Sequence, residues 1–359
     1  MAPSASISAA NLKKIVPRIR EKRIGVLGDV MLDRYLWGTA SRLSPEAAVP
    51  VVDFAEQSEC LGGAGNVAVN IASLGAHVEM FGVVGGQGAG DDEAGAALRG
   101  CLRAAKIGDK GVLADKSRVT TVKTRVIARH QQIVRIDRER RDPLATAVQE
   151  KLLRVLLAAA KKLDALVLSD YDKGLINDEL AERVLSACHK LNVPVFVKPK
   201  TSRLYAYRGA RAIVCNAKEA GFFVTRSLGD EKSFEDAGRA LLAHFGCAAV
   251  VITRGEKGMS IFEESSPRHL TIPATSFEVT YARVGQAGIE RGATGRQVFD
   301  VTGAGDTVLS VLAAAVAAGA SLPDAAVLAN TAAGVVVGKL GTASVTPEEL
   351  THALDELSR

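Results

Sequence analysis

The chain has 359 residues, 47% of them hydrophobic and only 4% aromatic, with a net charge of +5 spread along its length rather than gathered in a tail. That composition supplies a large core, gives no basic face for nucleic acid, and, with Cys60, Cys101, Cys188, Cys215 and Cys247 far apart and no C-x-x-C pair, excludes a zinc ribbon or a disulfide framework. Abundant Ala, Val, Leu and Gly suit helices packed on a sheet, so the expected class is α/β.

The first ten residues lack a charged stretch followed by an apolar one, and the most apolar later runs are short or interrupted. Neither a secretory signal nor a membrane span is expected, and a reducing cytoplasm fits the cysteines.

In chain order, 11–20 reads as a short helix and 23–27 as a buried strand. The strand runs into Gly28-Asp29-Val30-Met31-Leu32-Asp33-Arg34-Tyr35, and two carboxylates just past a first strand lie where open α/β sheets bind ligands. Either could serve sugar hydroxyls or simply cap a turn. Residues 49–56 read as a strand; Leu61-Gly62-Gly63-Ala64-Gly65-Asn66 then enters a helix ending at Gly75. Glycines there let a ligand approach the backbone, although such turns are common. The Gly-x-Gly-x-x-Gly dinucleotide pattern is absent, as is a Walker-type phosphate loop.

A strand at 77–84 leads through the glycine-rich 85–90 to a helix ending near Ala105. The alternating stretch 118–137, with Lys123, Arg125, Arg129 and Arg135, reads as a projecting lid whose cations either meet a phosphate or lie in solvent. From Leu144 onward βα units repeat: a helix to Lys162, strand 165–168 entering Ser169-Asp170-Tyr171-Asp172-Lys173-Gly174, a helix at 178–191, strand 194–197, strand 212–215 entering Asn216-Ala217-Lys218-Glu219, and strand 248–252 entering Thr253-Arg254-Gly255. Polar or glycine residues after each strand imply a parallel sheet with one working edge.

A hairpin (259–262, 269–272) precedes the long segment 274–297. Then comes Val298-Phe299-Asp300-Val301-Thr302-Gly303-Ala304-Gly305-Asp306-Thr307 and an apolar helix to Gly319. A glycine turn before a helix is an anion site, because unpaired N–H groups and the helix dipole face the ligand. An aspartate there needs a reason, and taking a proton from an attacking hydroxyl is one. Another small-residue helix spans 324–340.

Taken together, the glycine turn near the N-terminus, Asn216-x-x-Glu219, Thr253-Arg254-Gly255-x-x-Gly258 and Asp300 to Thr307 resemble the ribokinase-like carbohydrate kinases over nearly the whole chain from Arg23. More narrowly, Gly28 to Tyr35, Arg42 to Ala47, Leu61 to Ala68, Ser169 to Gly174 and Ala332 to Thr342 are similar to the bacterial heptose 7-phosphate kinases. That family phosphorylates the anomeric hydroxyl of D-glycero-β-D-manno-heptose 7-phosphate on the route to ADP-heptose and the lipopolysaccharide core.

The resemblance implies a three-layer α/β/α fold with a mostly parallel sheet and a small β lid. It places an N-terminal extension at 1–22, the kinase domain at 23–359, and lid strands near 45–60 and 118–138. It implies ATP and Mg²⁺ as cofactors and a homodimer formed through the lid. Asp306 would be the base, with N–H groups from Gly303, Ala304, Gly305 and Asp306 holding the transferred phosphoryl. Asp29, Gly62, Gly63, Asn66 and Asp170 would grip the sugar, with Asp33 and Lys173 nearby. Arg125, Arg129, Arg138 and Lys173 are equivalent candidates for the 7-phosphate. Asn216 and Glu219 would face the nucleotide phosphates and the metal, Glu219 through water, while Thr253, Gly255, Asn330 and Gly334 would line the nucleotide pocket.

One departure stands out: where the family usually carries Asp-Pro-Lys, this chain has Lys198-Pro199-Lys200. An acid replaced by a base puts metal handling there in doubt, and on this reading Lys198→Asp leaves activity equal or better.

Overall fold

The structure is a computed structural model describing residues 9–128, 131–202, 206–275, 282–285, 288–291, 303–339 and 343–357. The chain opens with α1 (Ala9–Ile15) and a 3₁₀ turn (Val16–Glu21), then β1 (Arg23–Gly28), β2 (Val30–Leu43), β3 (Pro50–Gly63), α2 (Ala64–Ser73), β4 (His77–Gln87), β5 (Gly90–Asp91), α3 (Glu93–Ala104), β6 (Gly108–Asp115), β7 (Thr121–Ala128) and β8 (Gln131–Arg138). The second half runs α4 (Thr146–Ala160), β9 (Ala165–Ser169), α5 (Asp178–Lys190), β10 (Val195–Lys198), β11 (Ala212–Asn216), α6 (Ala217–Phe223), α7 (Glu231–Phe245), β12 (Ala249–Thr253), β13 (Met259–Glu263), β14 (Leu270–Ile272), the short antiparallel pair β15 (Ala282–Gly285) and β16 (Gly288–Arg291), α8 (Ala304–Ala317), α9 (Leu322–Val336) and α10 (Pro347–Glu356).

The main sheet runs β14-β13-β12-β11-β10-β9-β1-β4, with β6 beside β4. From β6 across to β12 every neighbour is parallel; only the short β5, β13 and β14 pair antiparallel. Central strands of such a sheet are covered on both faces, which is why β1 and β9 are runs of buried apolar residues. Alternate residues serve opposite faces: Ile24, Val26 and Val167 join one hydrophobic cluster, and Leu27, Leu166 and Leu168 the other. Helices α2, α8, α9 and α10 supply the first cluster, and α4, α5 and α7 the second. This is the expected three-layer α/β/α arrangement.

Strand order carries the functional consequence. After β1 the chain moves one way, to β4 and β6, then returns to the other flank of β1 with β9 and continues to β12. The crevice between the C-terminal ends of β1 and β9, paired from Ile24 with Ala165 to Gly28 with Ser169, is therefore the switch point of the sheet.

Two expectations about extent change. Of the 1–22 extension, the described part from Ala9 is no separate appendage, because Leu12, Val16 and Ile19 are buried in the main core. The lid is larger than 45–60 and 118–138: it is a four-stranded sheet, β3-β2-β7-β8, whose β2 begins at Val30 and whose β3 ends at Gly63. The Gly28 to Tyr35 stretch is thus a strand leaving the crevice, and Gly62 and Gly63 are where the lid returns to it. The segment 274–297 lies mostly outside the described residues, as do Asp300, Val301 and Thr302.

Candidate functional site

Helix α8 begins at the crevice. Gly303 stands at its N-cap with φ 90°, a left-handed conformation suited to glycine, and no side chain caps the helix. The Asp306 N–H is occupied by the Gly303 carbonyl at 2.9 Å, so the expected anion cradle narrows to the N–H groups of Gly303, Ala304 and Gly305. From Asp306 to Ala315 the helix is buried, fixing its first turn rigidly against the sheet.

The Asp306 carboxylate is 4% exposed. Lys198 Nζ reaches Oδ1 at 2.6 Å, the Tyr171 hydroxyl donates to the carboxylate at 2.7 and 2.8 Å, and Asn66 Nδ2 donates to Oδ2 at 2.9 Å. Each donor comes from a different element: Lys198 ends β10, Tyr171 follows β9, and Asn66 opens α2. Burial opposes the charge on Lys198, but Asp306, and then Tyr171, lift its pKa above the ordinary lysine range, so it stays an ammonium. Burial and the Asp306 charge likewise raise the Tyr171 phenol, keeping it a donor.

Asn66 was expected on the sugar; here it orients the carboxylate, and Asn70 Nδ2 donates to its side-chain oxygen at 3.3 Å. Further polar contacts join α2 and α8: the Thr307 hydroxyl donates to Asn70 Oδ1 at 2.9 Å, and the Ser310 hydroxyl to the Val67 carbonyl at 3.1 Å. In a core this apolar, such bonds fix register as well as contributing energy.

Asp29 and Asp170 were expected to grip sugar hydroxyls, but both are buried and hold the protein's own loop. Asp29 accepts from the backbone N–H groups of Tyr171 (2.9 Å), Lys173 (3.2 Å) and Leu175 (3.3 Å). Burial and the neighbouring Asp170 still push its pKa to about 6. Asp170 accepts from the Tyr207 hydroxyl and, at 2.7 Å, from the Asp172 N–H. These two acids shape the loop that presents Tyr171.

Asp33, on the lid strand β2, pairs with Arg125 of β7 at 2.8 Å. Gly62, paired with Met31 on the neighbouring strand, stands diagonally across: a Cβ there would stand 2.5 Å from Asp33 Oδ2, so any larger residue would shift that carboxylate. Gly63 ends the same strand at the head of α2. Lys173 pairs with Glu139 at 2.8 Å, and Glu139 also meets Arg141 at 2.9 Å and Lys123 at 3.5 Å. Burial works the other way, yet these cations hold Glu139 below the usual carboxylate range. The cations Arg125, Lys123 and Lys173 thus gather at the base of the lid. Arg138 is exposed on β8, and Arg129 lies outside the described residues.

Asn216 and Glu219, expected to face the nucleotide, form a reciprocal capping box on α6: Asn216 Oδ1 accepts from the Glu219 N–H at 2.8 Å, and Glu219 Oε2 from the Asn216 N–H at 2.9 Å. One oxygen of Glu219 is therefore already engaged. Among the described residues no three His, Cys, Asp or Glu side chains gather as a metal cage. Thr253 ends β12 and Gly255 is exposed just beyond it. Asn330 of α9 donates to the Pro273 carbonyl at 2.8 Å, fastening the chain after β14, and Gly334 follows one turn later on the same helix.

Sequence reasoning missed Tyr171, hidden between two acids that drew attention first, and missed what Lys198 touches. Lys198 contacts the aspartate itself and also feels the charge of Glu219. Replacing Lys198 by Asp, the residue the family usually carries there, would take away the ammonium that Asp306 contacts here, so the expected harmlessness of Lys198→Asp gives way to an expected loss.

The model of the pfkB family carbohydrate kinases matches residues 21–349. Among curated relatives, Bifunctional protein HldE of Geotalea uraniireducens is 42% identical over 339 residues, covering 94% of this chain and 64% of that protein. Bifunctional protein HldE of Pseudomonas aeruginosa is 42% identical over 346 residues, covering 96% and 66%. The chain thus spans about two thirds of the length of these relatives. Among solved structures, Arabidopsis thaliana ribokinase complexed with ribose and ATP aligns with a TM-score of 0.68 at 16% identity, covering 93% of this chain and 98% of that one. Escherichia coli phosphofructokinase-2 in complex with substrates and products aligns with 0.72 at 18%, covering 94% and 100%. At those identities the likeness establishes the fold alone. The match to the family model, by contrast, runs through the crevice and the buried aspartate at the head of α8, and this chain belongs to the pfkB family of carbohydrate kinases.

Proposed function

We propose that the chain uses ATP and Mg²⁺ to phosphorylate the anomeric hydroxyl of D-glycero-β-D-manno-heptose 7-phosphate, giving the 1,7-bisphosphate for ADP-heptose and lipopolysaccharide core synthesis. The substrate rests on the heptose-kinase resemblance and on relatives about 42% identical over most of the chain. The chemistry rests on one observation: a buried aspartate at an uncapped helix N-terminus, in the switch-point crevice.

In this reading Asp306 takes the proton from the acceptor hydroxyl, and the N–H groups of Gly303, Ala304 and Gly305 stabilise charge on the transferred phosphoryl. Mg²⁺ supplies positive charge to the nucleotide phosphates, with Glu219 meeting it through water. Thr253, Gly255, Asn330 and Gly334 are the residues we assign to the nucleotide side. Arg125 and Lys173, anchored at the base of the lid by Asp33 and Glu139, are our candidates for the second phosphate of the sugar.

The lid also supports a dimer. Leu43, Phe54, Val134 and Ile136 expose large apolar surface on its strands, an arrangement that favours a second copy of the same sheet.

The test is turnover of heptose 7-phosphate against a panel of other sugars and sugar phosphates, with the product's phosphorus position read by ³¹P NMR. Preference for another sugar would move the chain to a sibling specificity. Absence of turnover with every acceptor would favour a catalytically impaired sugar-phosphate binder, a reading to which the Lys198–Asp306 pair lends the only encouragement.

A further inference from the structure

We propose that Lys198 is a catalytic residue of phosphoryl transfer: its ammonium, which contacts Asp306, passes to the γ-phosphate oxygens when nucleotide binds, freeing the carboxylate for the acceptor's proton. The proposal rests on the kinase reading above and adds to it a residue and a step.

Position is the first support. Lys198 Nζ lies 2.6 Å from Asp306 Oδ1, 3.4 Å from the Tyr171 hydroxyl, and 3.6 Å from where a Cβ on Gly305 would stand. It is therefore beside both the carboxylate and the first turn of α8, where the transferred phosphoryl would sit. The residue ends β10, and its carbonyl accepts from the Asp170 N–H at 3.3 Å, which ties its backbone to the crevice. Its flexible stem leaves the ammonium free to pivot. In the same position the ammonium lies over the Tyr171 ring, with Nζ 5.1 Å from the ring centroid.

Charge is the second. Asp306 is the anion that Lys198 contacts. A γ-phosphate brings more charge and three acceptor oxygens, and a three-donor ammonium is well matched to it. A carboxylate that keeps a cation accepts a proton less readily, so a fixed pair would hinder the reaction, whereas a pair that opens on nucleotide binding would not. The pair then couples the base to occupancy of the nucleotide site, which also discourages loss of phosphate to water before the sugar is in place.

The step balances. The acceptor O–H gives its proton to Asp306, and the oxygen's electron pair forms the new O–P bond. The bond from the γ-phosphorus to the bridging oxygen breaks, and ADP leaves with that electron pair. Lys198 stays protonated throughout and supplies only charge. The local swap of acid for base relative to the usual Asp-Pro-Lys changes the charge beside Asp306 by two, which makes the effect specific to this chain.

The experiment uses the full chain with ATP, Mg²⁺ and the sugar phosphate that wild type turns over, following ADP release for wild type, Lys198→Met, Lys198→Ala and Asp306→Asn. Lys198→Met is expected to lose about 10²- to 10³-fold in kcat, the cost of removing one charge-stabilising donor, with KM for the sugar phosphate within about threefold. Ethylammonium added to Lys198→Ala is expected to restore turnover in a saturable way, and to do nothing for Asp306→Asn. A structural role for Lys198 would give no such rescue. Lys198→Met within about threefold of wild type, or a folded Lys198→Ala that the amine does not restore, overturns the proposal while leaving the kinase reading intact. A wild type inactive on every acceptor sinks the kinase reading, and this proposal with it.

Discussion

A carboxylate buried at the positive end of a helix is held by three donors from three different elements, and removing any one of them is informative. Tyr171→Phe keeps the ring but deletes a hydrogen bond to a charged group; a stability loss of about 1.5–3 kcal/mol is expected in urea denaturation. An unchanged midpoint would show that Lys198 and Asn66 alone satisfy Asp306. Lys198→Asp, by removing the ammonium that contacts Asp306, is expected to lose turnover rather than keep it. Asp29 gives a pH test. Its folded pKa of about 6 lies above the ordinary 3.8, so the neutral form is favoured by folding. Its contribution, roughly 3 kcal/mol, is therefore present in full below about pH 3.8 and lost as pH rises through about 6. Comparing wild type with Asp29→Asn across that interval isolates it: the variant should gain on wild type as pH rises, and a constant difference would mean that Asp29 is not the titrating group.

The lid and the crevice are coupled through a few short contacts. Gly62→Ala would drive a Cβ into Asp33, displacing it from Arg125. If Arg125 meets the second phosphate, KM for the sugar phosphate should rise while KM for ATP holds; equal changes in both would separate Arg125 from that role. Much of this architecture was legible beforehand. Each βα unit from Leu144 onward shows a short apolar run followed by polar punctuation, and β9 to β12 fall within a residue or two of expectation, because doubly covered strands must be apolar throughout. The lid was harder to delimit. The first half of β2 is apolar and buried at the crevice, while its second half projects into solvent, so no single periodicity marks it. The site was half legible for a related reason. Glycine turns and an aspartate at a helix start carry a local signal, whereas Lys198 meets Asp306 across 108 positions of sequence. Asp29 and Asp170 look like ligand groups in sequence; only burial reveals that their oxygens serve the loop between Tyr171 and Leu175.

The whole molecule joins two surfaces at one crevice: a core sandwich that fixes α8, and a lid sheet with an apolar outer face. If the lid face is a dimer interface, Phe54→Glu should shift the protein toward the monomer in analytical ultracentrifugation without altering the main-sheet fold; a monomeric wild type would contradict the dimer. Among the described residues no helix is long and apolar enough to cross a membrane. The account as a whole stands on Asp306 acting as the proton acceptor in sugar phosphorylation. The measurement is kcat for Asp306→Asn against wild type, with ATP, Mg²⁺ and heptose 7-phosphate. A loss of at least ~10²-fold with the fold retained is the predicted result; a variant that turns over as fast as wild type would contradict it.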